Sequence, residues 1–142
     1  MNGLGITAFG YGALEMAVGP DRNPMSWQLA LWLCVLVLAI ASTSHIQDLK
    51  DQEGDAAAGR RTVPIVYGDA AARWSLVLGL AVWTAVICGI WAGTLAACAG
   101  PVGLAAAMVF RLLRTHGAQE DKKTYMLWTG WLLAVHLIPA LN

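Results

Sequence analysis

Three aspartates follow one another at the spacing of a helical stripe. Asp48, Asp51 and Asp55 are separated by three and four residues, so on a helix they share one face, each about one turn from the next. Like charges on one stripe repel each other, and nothing structural favours the arrangement unless a cation lies among them. Carboxylate oxygens suit Mg²⁺, which commonly binds through carboxylates together with substrate phosphates. The stripe therefore predicts a magnesium site.

Basic side chains and glycines lie beside the stripe. Arg60 and Arg61 carry planar guanidinium groups whose donors match phosphate oxygens, and Lys50 adds a further positive charge. Gly54 and Gly59 let the backbone turn and approach a ligand closely. This combination suits a Mg²⁺–diphosphate complex, with a lipid tail if the neighbouring apolar segment lies in a bilayer. A solvated helix of mixed charges next to a membrane is the alternative that the spacing leaves open.

The segments that must position these residues are strongly apolar. Of the 142 residues, 58% are hydrophobic and 13% are charged, whereas an average soluble domain has roughly 25% charged residues. Residues 25–43 and 74–110 contain no Asp, Glu, Lys, Arg or His, and apolar runs of about 18 residues or more are typical of transmembrane helices. The sequence predicts an all-α integral membrane protein. Its formal net charge of zero, without a basic patch, argues against nucleic acid as a partner.

The apolar runs predict a single multi-pass membrane domain, residues 1–142, with five transmembrane helices. Short connections between them make successive helices antiparallel neighbours in a bundle. The predicted spans are residues 3–18, 25–44, 72–91, 95–113 and 124–141.

The basic residues predict the orientation of this domain. Of the nine Lys and Arg residues, Arg22 alone falls on one side, and the rest lie within or beside residues 45–71 and 114–123. Cytoplasmic loops carry the excess of Lys and Arg. The Asp-rich segment (residues 45–71) is therefore predicted to be cytoplasmic.

Four further polar residues are candidates for a pocket. Tyr11 and Glu15 share one stripe of the first span, and an ionisable residue inside a membrane span normally faces the bundle interior or a water-filled cavity. The interface near Pro20 is an equal alternative for the Glu15 carboxylate. His45 and Gln47 lie at the mouth of the predicted site, either as polar caps of a helix end or as catalytic groups.

Other polar and aromatic residues are expected to lie outside the site. Asp69 falls beyond the stripe, so its substitution should have a mild effect, and His116 lies in a charged loop as solvated surface. Tryptophans near span ends are interpreted as membrane-interface and packing residues; these are Trp27, Trp74, Trp91 and Trp128.

The Asp-rich segment resembles the second aspartate-rich motif of the UbiA family of intramembrane prenyltransferases. That family has nine transmembrane helices and two Asp-rich motifs on the cytoplasmic side, the second of which follows the sixth helix. The resemblance implies that this chain forms helices five to nine of such a fold. The residues that carry it are Asp48-x-x-Asp51-x-Glu53-Gly54-Asp55, Gly59-Arg60-x-Thr62-x-Pro64 and Tyr67-Gly68.

The resemblance implies transfer of a prenyl group from an isoprenyl diphosphate to a lipophilic or aromatic acceptor within the lipid bilayer. Asp51 and Asp55 would hold Mg²⁺ with the assistance of Asp48. Arg60 or Arg61, with Lys50, would bind the diphosphate. A close variant is a terpene cyclase that acts on farnesyl diphosphate.

The family's first motif, Asn-x-x-x-Asp-x-x-x-Asp, is absent from these 142 residues. The N-terminal half of the fold is therefore expected from outside them, in cis or in trans. A truncated, non-catalytic half-bundle that acts as a subunit is the remaining hypothesis.

Overall fold

The structure is a computed structural model that describes residues 27–90 and 95–138. Within these ranges the chain forms helices and turns and no strand, so the all-α prediction is confirmed. The predicted span 3–18, with Tyr11 and Glu15, lies outside the described residues. The helices are α1 (Trp27–Thr43), α2 (Ile46–Lys50), α3 (Gln52–Ala57), α4 (Val63–Tyr67), α5 (Asp69–Ile90), α6 (Leu95–Arg114) and α7 (Ala118–Leu137).

Three helical stretches are long and apolar enough to cross a membrane. They are Ala30–Lys50, Asp69–Ile90 and Ala96–Arg114, and they correspond to the second, third and fourth predicted spans. α5 begins at Asp69, three residues before the predicted start, because an acidic residue is favourable in the first turn of a helix. The apolar pattern did not reveal this polar turn.

α7 also begins earlier than its apolar residues indicate. The predicted span starts at residue 124, whereas the helix starts at Ala118 and carries Glu120 and Asp121 in its first turn. These carboxylates are favourable at a helix N-terminus, where the backbone dipole is positive. Because the apolar part of α7 is short, this helix is not among the stretches long and apolar enough to span a membrane in the described residues.

The chain divides into two compact units, residues 1–41 and 42–142. In the second unit α5 packs against α6, α6 packs against α7, and α2 contacts both α5 and α7. Buried residues recur at helical spacing along α5, for example Leu76, Leu80 and Thr84. The buried side chain of Trp131 in α7 donates a hydrogen bond of 3.1 Å to Thr84 Oγ1, so the indole N–H has a partner inside this apolar core.

Two of the tryptophans expected at the membrane interface differ in their surroundings. Trp128 is buried, and its Nε1 donates to Thr43 Oγ1 at 3.0 Å. Trp74 is exposed on α5. Trp128 is therefore a packing residue of the second unit.

Candidate active site

The Asp-rich segment is not one continuous helix. α2 ends at Lys50, and Asp51 has φ −108° and ψ 10°, outside the helical region, before α3 starts at Gln52. The Asp51 N–H reaches back to Asp48 O at 3.3 Å, and the Asp55 N–H donates to Asp51 O at 2.9 Å. Asp48 thus lies on one short helix and Asp55 on the next. The predicted single stripe of three aspartates is interrupted at Asp51.

An open cavity of about 730 Å³ lies in the second unit, beside this break. It is lined by the Asp-rich segment, by the first turns of α5 and α7 and by the connection between α6 and α7. Of the predicted site residues it brings together four: Lys50, Asp51, Asp55 and Arg60. The cavity is also lined by four residues that were not predicted as site residues, namely Asp69, Arg73, His116 and Asp121.

Asp55 is the most buried of the predicted metal ligands, with 6% of its surface exposed. Its Oδ1 accepts a hydrogen bond of 3.0 Å from Arg60 Nη1, and its backbone oxygen accepts the Arg60 N–H at 2.9 Å. Gly59 makes this return of the chain possible because its φ is +67°, a conformation that side-chain-bearing residues adopt only at a cost. The turn after α3 therefore brings the Arg60 guanidinium back to the Asp55 carboxylate.

The Asp51 side chain is more exposed than that of Asp55 and contacts a different basic residue. It forms an ion pair with Lys50, and its side chain is 55% exposed. Lys50 Nζ also lies 5.6 Å from the centre of the Tyr125 ring on α7, within the range of a cation–π contact. An exposed pair of this kind stabilises the fold little, so the Asp51 carboxylate remains accessible to a ligand in the cavity.

The cavity wall also contains a buried ion pair that sequence reasoning missed. Arg73 and Asp121 are 4% and 2% exposed. Arg73 Nη1 and Nη2 donate to the two oxygens of Asp121 at 2.9 and 2.8 Å. Arg73 Nε donates to Asp69 Oδ2 at 2.7 Å. The spacing of Asp69 and Arg73 by four residues was a signal for the second contact, whereas nothing local connects Arg73 to Asp121.

Among the described residues, the other members of the predicted site lie outside the cavity lining. Asp48 is half-buried on α2, whereas Gln47 and Arg61 are exposed. His45 occupies the position before α2 without a side-chain capping bond, and its Nε2 lies 2.8 Å from Ser75 Oγ. Its imidazole therefore links the Asp-rich segment to α5 instead of capping a helix.

Asp69, which was expected to lie outside the site, and His116, which was expected at the surface, both line the cavity. His116 Nδ1 lies 3.8 Å from Asp69 Oδ2, while 63% of the His116 side chain is exposed. The Asp69 carboxylate accepts hydrogen bonds from Gln52 and Arg73, and the mild effect of its substitution stays a prediction.

A second charge cluster joins α6 to α7 away from the cavity. Arg111 Nη2 donates to Glu120 Oε2 at 2.7 Å, and Lys123 Nζ donates to Glu120 Oε1 at 2.6 Å. The hydrogen bonds from Lys123 and Arg111 lower the pKa of Glu120 below its ordinary value. Arg111 thus resembles Arg73 in joining two helices through hydrogen bonds of its guanidinium group.

The donor chemistry of the cavity fits a divalent cation bound together with a phosphate. In residues 27–90 and 95–138 no three His, Cys, Asp or Glu side chains converge to hold a metal ion by themselves. The cavity wall nevertheless carries five carboxylates against three Lys and Arg side chains. Mg²⁺ often uses one or two carboxylates and completes its ligands with water and substrate phosphate, and Asp51 and Asp55 supply such a pair.

The sequence profile of the UbiA prenyltransferase family matches residues 3–131. The chain therefore belongs to this family. Together with the three apolar helices long enough to span a bilayer, this makes it an integral membrane protein.

Named relatives fall into two groups by activity. The polyprenyl transferase eriF of Hericium erinaceus is 39% identical over 92 residues, which cover 63% of this chain and 31% of the relative. The diterpene cyclase eriG of Hericium erinaceus is 36% identical over 104 residues, or 69% of this chain and 32% of the relative. The somaliensene A/B synthase of Streptomyces somaliensis is 31% identical over 140 residues, or 91% and 44%. No solved structure matches the chain.

The chain thus matches less than half the length of these relatives. Family membership applies to the 142 residues themselves, whereas activity and substrates are matters for proposal.

Proposed function

We propose that this protein serves Mg²⁺-dependent transfer of a prenyl group from an isoprenyl diphosphate to a lipophilic or aromatic acceptor in the membrane. The observation that carries the proposal is the convergence of Asp51, Asp55 and Arg60 on one cavity at the ends of apolar helices. Membership of the UbiA prenyltransferase family supports the same activity.

Asp51 and Asp55 are the proposed metal ligands. Mg²⁺ in this cavity would supply positive charge that stabilises the departing diphosphate. Asp51 offers an accessible carboxylate, and Asp55 offers a buried one whose Oδ1 is oriented by Arg60. We assign Asp48 an assisting role, in which its charge on α2 adds to the negative potential near the break.

Arg60 is the proposed diphosphate ligand, with help from Lys50. The Arg60 side chain is 71% exposed while its Nη1 contacts Asp55. A guanidinium has five N–H donors, so Arg60 can contact Asp55 and phosphate oxygens together. Arg61, exposed and outside the cavity lining, is the alternative ligand.

The apolar helices provide the surface along which a prenyl tail would lie. On α5 several large hydrophobic side chains are exposed, including Leu78, Val82 and Val86. Such a surface suits lipid and an isoprenoid chain, because exposed apolar area is favourable in a bilayer and unfavourable in water. The charged cavity lies at the end of this surface where α5 begins, so a head group and its tail would meet matching environments.

A terpene cyclase is the second candidate, and the relatives named as a diterpene cyclase and a somaliensene synthase favour it. Both candidates begin with departure of diphosphate and differ in what captures the prenyl cation. Gas chromatography of products from farnesyl diphosphate separates them. Product that forms only with an added acceptor supports the transferase, and a cyclic hydrocarbon formed without acceptor supports the cyclase.

We further propose that the first Asp-rich motif and its helices act together with this chain, in cis or in trans. The motif's absence from these 142 residues and the partial match to relatives support this. Product formation by the chain alone is to be compared with the chain co-expressed with the N-terminal half of eriF. Lack of product in both would favour the non-catalytic subunit.

We place the Asp-rich segment on the cytoplasmic side, as the excess of Lys and Arg indicates. Glu53 is exposed and offers a labelling position. In a background without the native cysteines, Glu53→Cys should resist an impermeant thiol reagent added outside intact cells. Strong labelling would place the segment on the outer side and contradict the proposed orientation.

A further inference from the structure

The guanidinium group of Arg73 donates hydrogen bonds to residues on several elements. Besides both oxygens of Asp121 and Oδ2 of Asp69, it contacts the backbone oxygen of Thr115 from Nη1 at 3.2 Å. A buried guanidinium is costly unless its donors are satisfied. Because Arg73 is fixed by α5, by the α6–α7 connection and by α7, its position in the cavity wall is determined by the packing of the second unit.

Asp69 connects Arg73 to Gln52 at the start of α3. Its Oδ2 accepts from Arg73, and its Oδ1 accepts from Gln52 Nε2 at 2.8 Å. The same Gln52 nitrogen donates to Leu49 O at 3.1 Å. Gln52, at the start of α3, therefore contacts both α2, through Leu49 O, and α5, through Asp69.

The break at Asp51 lies between the residues that Gln52 connects. α2 and α3 are short helices of five and six residues, and helices of this length are not stable by themselves. Their relative orientation must come from tertiary contacts, and the side chain of Gln52 supplies one directly at the junction. Asp51 immediately precedes α3 and Asp55 lies within it, and the Asp55 N–H donates to Asp51 O. That orientation therefore decides where both carboxylates lie relative to α5 and α7.

We infer that the Arg73 network (Gln52, Asp69, Arg73 and Asp121) positions the proposed metal ligands by fixing the break at Asp51 against α5 and α7. These four are positioning residues, since they act through Asp51 and Asp55. The identity of the ligand in the cavity rests on the proposed function, whereas the role of the network in positioning Asp51 and Asp55 does not.

The sharpest test is Gln52→Ala, which removes the link to the Asp-rich segment and leaves the Arg73–Asp121 pair intact. Gln119→Ala is the matched control, because Gln119 is exposed on α7 and outside the cavity lining. Two quantities are measured in lipid nanodiscs: amide hydrogen exchange of residues 51–58 on the full chain, and the Mg²⁺-dependent affinity for farnesyl diphosphate of the chain reconstituted with the N-terminal half of eriF.

Loss of one hydrogen bond corresponds to roughly a twofold to tenfold change in an equilibrium, and Gln52→Ala removes two, to Asp69 Oδ1 and to Leu49 O. The variant should therefore raise exchange in residues 51–58 by at least about twofold and weaken binding of farnesyl diphosphate. Exchange in residues 124–137 and the melting temperature should stay as in the wild type. Gln119→Ala should change neither quantity. Wild-type exchange in residues 51–58 of the Gln52 variant would overturn the inference.

Arg73→Lys provides a second variant, since it keeps the charge but cannot bond both Asp121 oxygens and Asp69 with one planar group. It should raise exchange in residues 51–58, whereas Arg111→Lys, at the cluster away from the cavity, should not. Equal effects of the two lysine variants on this segment would contradict a specific role for Arg73. If the wild type bound no farnesyl diphosphate, the proposed function would fail, and the exchange data would still decide the role of the network.

Discussion

The side chain of Asp55 combines burial, a place in the cavity wall and a bond to Arg60. Asp55→Asn keeps the shape and removes the negative charge that a cation requires. We expect the Mg²⁺ concentration for half-maximal binding of farnesyl diphosphate to rise at least about tenfold, equivalent to about 1.4 kcal/mol. A titration with Mg²⁺ at fixed farnesyl diphosphate measures this.

The comparison variant for Asp55 is Asp48→Asn. Asp48 is an aspartate of the same motif that lies on α2 outside the cavity lining, so its substitution should have a smaller effect. If Asp48→Asn were the more damaging of the two, the assignment of the metal ligands would be wrong.

Two substitutions of Arg60 separate the contribution of its positive charge to diphosphate binding from that of its forked N–H donors. Arg60→Lys retains the positive charge and loses the forked donors, so binding of farnesyl diphosphate should weaken moderately. Arg60→Ala removes both and should weaken binding further, by about tenfold or more, because hydrogen bonds between charged groups contribute about 1.5 to 3 kcal/mol. Equilibrium dialysis with labelled farnesyl diphosphate gives the affinities.

Two other arginines serve as comparisons for Arg60. Arg114→Ala at the exposed end of α6 should leave the affinity unchanged. If Arg61→Ala produced the large loss and Arg60→Ala did not, Arg61 would be the phosphate ligand.

At the scale of elements, the apolar runs predicted the long helices well. The predicted span 95–113 matches α6 (Leu95–Arg114), and the span 25–44 matches α1 (Trp27–Thr43). Length without charge decides whether a helix suits a bilayer, and that property is visible in sequence. The polar first turn of α7 was missed because it is stabilised by end effects and ion pairs and not by an apolar stripe.

The site was predictable only in part. Asp51, Asp55 and Arg60 were chosen as candidates because their types and spacing lie within one segment, and all three line the cavity. The break at Asp51 was not found, since it depends on contacts of Gln52 with a residue 17 positions away. Arg73 and Asp121 are separated by 48 positions, and such a pair becomes visible only when the helices pack.

The turn that ends α3 gives a test with two glycines of the same element. Gly59 has φ +67°, so Gly59→Ala should destabilise the turn by about 1 kcal/mol, even though no atom lies within 4 Å of the added carbon. Gly54 is helical and equally open, so Gly54→Ala should stabilise α3 by about 0.5 to 1 kcal/mol. Hydrogen exchange of residues 55–60 should move in opposite directions for the two variants. A shift in the same direction would contradict the geometry of this turn.

The link between α5 and α7 predicts a large loss of stability when one partner is removed. Arg73→Met leaves the buried Asp121 carboxylate without its bidentate partner, and such a change costs about 3 to 5 kcal/mol. Replacing both partners, Arg73→Met with Asp121→Leu, should recover most of that loss, because the unpaired charge is also removed. Unfolding by denaturant in detergent measures both. A double variant as unstable as the single one would show that the pair has other essential contacts.

At the scale of the whole molecule, the protein combines an apolar helical body with charge concentrated in the segments around one cavity. Residues 74–110 contain no Asp, Glu, Lys, Arg or His, while the cavity wall contains eight Asp, Glu, Lys and Arg side chains. This separation fits an amphipathic substrate with a diphosphate head group and an isoprenoid tail. The motif residues lie within one short segment and were visible in the sequence, whereas Arg73 and Asp121 in the cavity wall come together only in the fold.

The most direct test of the proposed site is equilibrium binding of radiolabelled farnesyl diphosphate to the wild-type chain, reconstituted in lipid nanodiscs with the N-terminal half of eriF, with Mg²⁺ and with EDTA. The cavity described here predicts saturable binding of one molecule per chain that requires Mg²⁺ and is displaced by inorganic diphosphate. Binding that persists in EDTA and resists inorganic diphosphate, or no binding above that of empty nanodiscs, would contradict it.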